Sequence, residues 1–245
     1  MKVINSLFML TALLTAAVEA QEESNQTFIV SYNSFTVWLD CSTRSATLWS
    51  YTIGMDTGKY ERHNEFYLDP NIPSQCQQKS TSTYKTPKGA IKYDRGHLVP
   101  ANIMDSDPLD IAQSNIMTNV LPQVAQMNRG AMYQTELFVE CRRDHHSMTI
   151  YGGVHQGTIP TDGDFTESHG VKAPEAFWKV VMWNEQAIAW WIPNSTEATA
   201  SMIDNYIVAP ADIEAKANVT LPIPDELKSL RQDKTNAKTP DCDPS

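Results

Sequence analysis

Tyr93-Asp94-Arg95-Gly96-His97 is followed downstream by Asn128-Arg-Gly-Ala-Met-Tyr-Gln-Thr-Glu136. The second stretch lies inside the strongest helix candidate of the chain, residues 123–143. That segment follows Pro122, and Val124, Met127, Ala131, Leu137 and Phe138 give it one apolar side. Strand patterns gather on both flanks. Residues 35–39 and 47–53 are rich in aromatic and β-branched side chains. The pattern returns over 148–151, ending at Gly152-Gly153, and over 176–183 and 187–192. Asn184-Glu185-Gln186 predicts an antiparallel hairpin between the last two, with a turn other than the favoured two-residue kind. A helix set between two groups of strands predicts an α+β fold, a central antiparallel sheet flanked by helices. A short helix is expected over 108–114, and a short strand and helix within 198–217. Residues 54–92 show little periodicity, and a loop of that length points to a functional surface.

With 245 residues the chain can bury a sizeable core, and one domain over 35–230 is the simplest division. Lys2, the apolar run 7–18 and the small-residue site Val18-Glu19-Ala20 read as a secretory signal peptide over 1–20. The run is too short for a membrane anchor, so the mature form is expected free of the membrane, either secreted or periplasmic. Residues 21–34 read as a polar lead-in, and 231–245 as a polar tail, mobile apart from Cys242. Export permits disulfides among Cys41, Cys76, Cys141 and Cys242. Three pairings are open. Cys41–Cys76 with Cys141–Cys242 is preferred because the second bond clips the tail to the domain. No CxxC pair exists, which argues against a zinc site. Asn25, Asn194 and Asn218 begin glycosylation sequons, relevant only in a host that glycosylates exported proteins.

The formal net charge of −10 argues against indiscriminate nucleic-acid binding, which depends on neutralising phosphates with Lys and Arg. Positive charge is concentrated locally instead. Lys79, Lys85, Lys88, Lys92 and Arg95 fall in one stretch whose only acid is Asp94. His97 is suited to act as a base near neutral pH. Arg95 can hold a phosphate in a fork, and Gly96 lets backbone approach closely. Asn128 offers an amide oxygen to a hard cation that keeps most of its water. Glu136, roughly 80° around an α-helix from Asn128, can orient water beside that cation. Asn119, in Thr118-Asn-Val-Leu-Pro-Gln123, can cap a helix or bond backbone near the site. Base, arginine, amide oxygen and carboxylate are the parts of metal-assisted phosphodiester cleavage. His145-His146 diverge as neighbours do, and His63, His155 and His169 lack partners at ligand spacing. No nucleophile elbow, P-loop or dinucleotide glycine pattern is present.

Several segments in order resemble the DNA/RNA non-specific endonuclease family. They are Tyr93-Asp-Arg-Gly-His-Leu-Val-Pro100, Thr118-Asn-Val-Leu-Pro-Gln123, Asn128 through Glu136 and Ile150-Tyr-Gly-Gly153. Pro174-Glu-Ala-Phe-Trp-Lys-Val-Val181, Ala187-Ile-Ala-Trp-Trp-Ile-Pro-Asn194 and the stretch from Tyr206 to Pro224, with Asp212-Ile-Glu214, continue the likeness, over roughly residues 35–225. The resemblance implies a ββα-metal site in a nuclease domain. It implies that His97 is the general base and Asn128 the sole protein ligand of one Mg²⁺, with Mn²⁺ as a substitute. Glu136 is then expected to hold water around the metal, Arg95 to contact phosphate and Asn119 to support the site. Arg62 is the best match for an upstream arginine that stabilises the phosphorane. DNA and RNA are the implied substrates, with 5′-phosphate and 3′-hydroxyl products, and a homodimer is an assembly common in the family. One departure is visible. A second arginine often follows the helix glutamate by four residues, and here that position is Glu140. Either Arg142 and Arg143 substitute for it, or phosphate contact is weaker. Two rival readings are a catalytically inactive nuclease-like binding module and a metal phosphodiesterase for smaller substrates.

Overall fold

The computed structural model describes residues 26–58, 60–157, 163–239 and 242. The expected signal peptide and the sequon at Asn25 lie outside the described residues. Among these, eleven strands form: β1 (Thr27–Ser31), β2 (Phe35–Asp40), β3 (Ser45–Ile53), β4 (Tyr93–His97), β5 (Val120–Val124), β6 (Met148–His155), β7 (Asp164–Phe165), β8 (Val171–Lys172), β9 (Ala176–Trp183), β10 (Gln186–Pro193) and β11 (Ile207–Val208). Seven make one sheet in the order β1-β2-β3-β6-β9-β10-β11, antiparallel throughout. β4 and β5 form a separate antiparallel ribbon. The helices are α1 (Pro108–Ser114), α2 (Ala125–Met127), α3 (Tyr133–Glu140), α4 (Pro210–Ala217) and α5 (Asp225–Lys228). A π-helical segment, Asn128–Met132, joins α2 to α3 in one rod.

The sheet is the middle of three layers, as expected for an α+β fold. Side chains alternate along a strand, so β9 and β10 send Phe177, Val181, Ile188, Trp190 and Ile192 toward one face. There they pack with Phe138, Met132 and Val124 of the rod and ribbon. Trp178, Val180 and Ala189 face the other way, against Ile213, Leu221 and Ile223. Burial on both faces explains why β9 and β10 read as apolar runs in the sequence. No described helix is long and apolar enough to cross a membrane.

Several sequence expectations change. β6 continues through Gly152-Gly153 to His155 instead of ending there. A side chain on Gly152 would strike the Trp49 ring, and one on Gly153 the Trp178 ring, so the glycines make room for tryptophans on opposite faces. The rod starts at Ala125, because residues 120–124 pair with β4, and ends at Glu140. The β9–β10 turn is the two-residue kind after all. Trp183 pairs with Gln186, and Asn184 and Glu185 hold φ of 40° and 59°. Two positive φ values match the twist of paired strands. The lead-in carries edge strand β1. The tail is docked through residue 237: Trp190 Nε1 donates to Thr235 Oγ1 at 3.0 Å, and Arg142 Nη2 donates to Asn236 O at 2.7 Å. A buried indole N–H needs an acceptor, and the polar tail supplies it. The cysteines pair in the preferred pattern, Cys41–Cys76 and Cys141–Cys242. The helix over 108–114 forms as expected, with Pro108 in its first turn and Asp107 accepting from Leu109 N at 2.7 Å.

Candidate active site

The β4–β5 ribbon and the rod form one cleft of about 340 Å³. Arg62, Arg95, His97, Asn128, Arg129 and Glu136 line it. Arg95 and His97 come from β4. Gly96 between them lies under Gln123 of β5, where a Cβ would collide with that side chain. Asn128 opens the π segment and Glu136 lies in α3. Their angular separation therefore differs from that of a plain α-helix. The lysines at 79, 85, 88 and 92 do not line the cleft.

The protonation of His97 follows from its partners. Asn115, at the end of α1, donates Nδ2–H to His63 O at 2.6 Å. That bond turns its Oδ1 toward His97 Nε2, at 2.9 Å. An amide oxygen only accepts, so Nε2 carries the hydrogen and Nδ1 holds the free lone pair. Arg62 Nη2 sits 3.3 Å from Nδ1 as a donor to it. Burial, then the Arg62 charge, push the His97 pKa down to about 4, while the Asn115 bond opposes them. The imidazole is thus neutral across the ordinary pH range. Phe66 lies beneath this group, with its ring 5.4 Å from that of His97 and Arg95 stacked on it at 3.9 Å. Arg95 also donates to Thr81 O at 2.8 Å.

A second carboxamide is oriented in the same way. Asn128 Nδ2 donates to Asp94 Oδ2 at 3.0 Å, leaving its Oδ1 without that constraint and free to serve as an oxygen ligand. Asp94 also holds Arg129 by two bonds, from Nε at 2.8 Å and Nη2 at 2.7 Å. Below the cleft, Lys179 of β9 is buried and donates Nζ–H to Thr135 Oγ1 at 2.9 Å. Burial raises the Glu136 pKa, and the charges of Lys179 and Arg62 counter it. Burial lowers that of Lys179, and Glu136 opposes. The described residues hold no group of three His, Cys, Asp or Glu able to bind a metal. The donors present are an amide oxygen and one carboxylate, a set that fits a hard, largely hydrated cation better than zinc.

Asn119 does not line the cleft. It is buried, accepts from Val99 N at 2.9 Å and donates to Val99 O at 2.9 Å and Ser114 O at 2.8 Å. It pins the backbone just after His97 and satisfies the last carbonyl of α1, so it caps the C-terminal end of α1 and not the start of the rod. Arg142 and Arg143 do not reach the cleft either. Arg142 stacks on Phe138, and Arg143 is buried among Asp56, Asp105 and Glu140. Glu140 therefore belongs to that ion cluster and does not line the cleft. Asn194, whose sequon was noted, is occupied: its Oδ1 accepts from Val124 N at 2.7 Å, and Nδ2 donates to Pro174 O at 2.9 Å. Asn115, Asp94, Arg129 and Lys179 escaped the sequence reading. Asp94 and Arg129 were adjacent to chosen residues, a signal that was there to use. Asn115 and Lys179 meet the site only through tertiary contacts.

The chain matches the DNA/RNA non-specific endonuclease family over residues 15–225 and belongs to that family. It is 25% identical over 160 residues to a nuclease of Serratia marcescens, covering 62% of this chain and 57% of the relative. Nuclease C1 of Cunninghamella echinulata var. echinulata is 27% identical over 171 residues, covering 64% and 66%. The chain thus spans less than two thirds of the length of either relative. The fold is similar to that of a chain in the crystal structure of the EndoG/EndoGI complex. That likeness has a TM-score of 0.63 at 19% identity and covers 81% of this chain and 86% of that one.

Proposed function

We propose that this protein is a secreted, Mg²⁺-dependent, sugar-non-specific endonuclease that hydrolyses DNA and RNA to 5′-phosphate and 3′-hydroxyl ends. The observation that carries the reading is a neutral His97 with Nδ1 unprotonated, in one cleft with Arg62, Arg95 and Asn128. Family membership supports the reaction class. The two disulfides support an exported protein.

His97 Nδ1 accepts a proton from the attacking water, and Asn115 keeps the ring in the tautomer that permits it. Arg62 occupies Nδ1 in this structure. An incoming phosphate competes for the guanidinium, and its transfer to phosphate leaves Nδ1 to water. Arg95 adds positive charge to the cleft, where the phosphate becomes more negative as water attacks. The bond from phosphorus to the 3′ oxygen breaks, and that oxygen takes a proton from solvent. Asn128 Oδ1 and water held by Glu136 are the groups to hold Mg²⁺ or Mn²⁺. When bound, the ion would supply Lewis-acid stabilisation of the negative charge that develops in the reaction.

The test is cleavage of supercoiled plasmid and of RNA by the mature protein, with Mg²⁺ and with EDTA, beside His97→Ala. Cleavage of both that requires metal and His97 supports the proposal. Tight nucleic-acid binding without turnover across several metals would replace it with an inactive binding module.

A further inference from the structure

One aromatic residue of the cleft has no part in the reaction above. Tyr133, the first residue of α3, lines the cleft and is 42% exposed. In a plain α-helix a residue five positions on points about 140° away. Tyr133 stands four positions after Arg129 and three before Glu136, on one helical face with both, and five positions after Asn128. The intervening Asn128–Met132 segment is π-helical, and i→i+5 bonding brings the fifth residue back over the first. The π segment thus brings Asn128 toward the face that Tyr133 already shares with Arg129 and Glu136.

Its neighbours suit a nucleotide. Arg129 is 73% exposed, yet both bonds to Asp94 fix its guanidinium. Asn102 adds an amide to the same wall. An exposed ring beside a fixed cation offers a stacking surface next to a phosphate contact. Every base has a π face, so stacking tolerates any sequence.

We propose that Tyr133 forms a nucleobase subsite, on which the base adjoining the scissile phosphate stacks. The proposal rests on the nuclease reading and sharpens its substrate. A base can lie on Tyr133 only when it leaves its own stack, so single-stranded nucleic acid gains more from the contact than duplex.

The experiment compares wild type, Tyr133→Phe and Tyr133→Ala on a short single-stranded DNA oligonucleotide and on the same oligonucleotide made abasic along its length. On the normal oligonucleotide Tyr133→Ala should raise KM roughly 5- to 150-fold, the worth of one stacked base, with a smaller change in kcat. Tyr133→Phe should stay near wild type. On the abasic oligonucleotide wild type and Tyr133→Ala should converge. An equal loss on both substrates, or no loss on either, would overturn the subsite while leaving the nuclease reading intact. Absence of cleavage by wild type on plasmid, RNA and both oligonucleotides would overturn that reading and the subsite with it.

Discussion

Two clusters of charge lie at opposite ends of the rod, and their balance is reversed. The cleft is lined by Arg62, Arg95 and Arg129 with one carboxylate, Glu136, while Asp94 beneath neutralises Arg129. Past the other end, Arg143 stands alone against Asp56, Asp105 and Glu140, with none of its side chain exposed. The first cluster is open and short of anions. The second is closed and has anions to spare, so one carboxylate gives way: burial and the neighbouring Asp56 and Asp105 push Glu140 up to about 7 against the pull of Arg143. The same residue types therefore line an open cleft in one place and serve internal cohesion in the other. Solvent access and the ratio of charges decide which.

The largest effect that separates the clusters is expected from His97→Ala. Removing the base should lower kcat roughly 100- to 10,000-fold while DNA affinity, measured by fluorescence anisotropy, stays close to wild type. Near-normal turnover would refute the base assignment. Arg143→Met should do the opposite. Three carboxylates left without their buried partner should cost about 3–5 kcal/mol in urea unfolding, with kcat per folded molecule unchanged. A tenfold fall in kcat at intact stability would mean that the closed cluster serves the cleft after all.

The pH dependence should carry opposite signs at the two ends. The folded-state pKa of His97 lies below the ordinary 6.5, at about 4. The folded protein then binds fewer protons than the unfolded chain in that window. Stability is lost as pH falls from 6.5 toward 4, by up to about 3 kcal/mol, and kcat/KM should reach its plateau just above pH 4. The folded-state pKa of Glu140 lies above the ordinary 4.5, at about 7. Its contribution is complete below 4.5 and lost as pH rises through 7. Glu140→Gln should therefore stabilise the protein by up to about 3 kcal/mol at pH 8 and by little at pH 4.5. Equal effects at both pH values would remove Glu140 as the source.

The smallest expected change lies outside both clusters. Glu185 holds φ of 59° in the β9–β10 turn, where a side chain is strained. Glu185→Gly should raise stability by about 0.5–1 kcal/mol and leave kcat and both pH limbs alone. A loss of stability would show that the Glu185 side chain does more than tolerate the turn.

Much of the architecture was legible because strands and helices write their period into neighbouring residues. Residues 35–39, 47–53 and 176–192 announced the sheet, and the short helix expected over 108–114 is α1. Boundaries were less legible. The reading of 123–143 as one α-helix missed that Val120–Val124 pairs with Tyr93–His97, since pairing partners are far apart in the chain. Gly152-Gly153 read as a stop because the tryptophans that require them, Trp49 and Trp178, lie on other strands. The tail read as mobile because its polar residues carry no sign of the indole and guanidinium they satisfy.

By itself the sequence pointed to the family and the α+β class, and it singled out His97, Asn128, Glu136, Arg62 and Arg95 as the side chains proposed for the chemistry. These depend on residue type and short spacing, which a linear chain displays. Only the tertiary structure decided which nitrogen of His97 is free, through Asn115, and how Asn128 is turned, through Asp94. Tertiary contacts also withdrew Arg142, Arg143 and Glu140 from the cleft and brought Arg129 and Tyr133 to its wall. Protonation, orientation and burial depend on neighbours brought together by folding, and a local pattern of residues does not contain them.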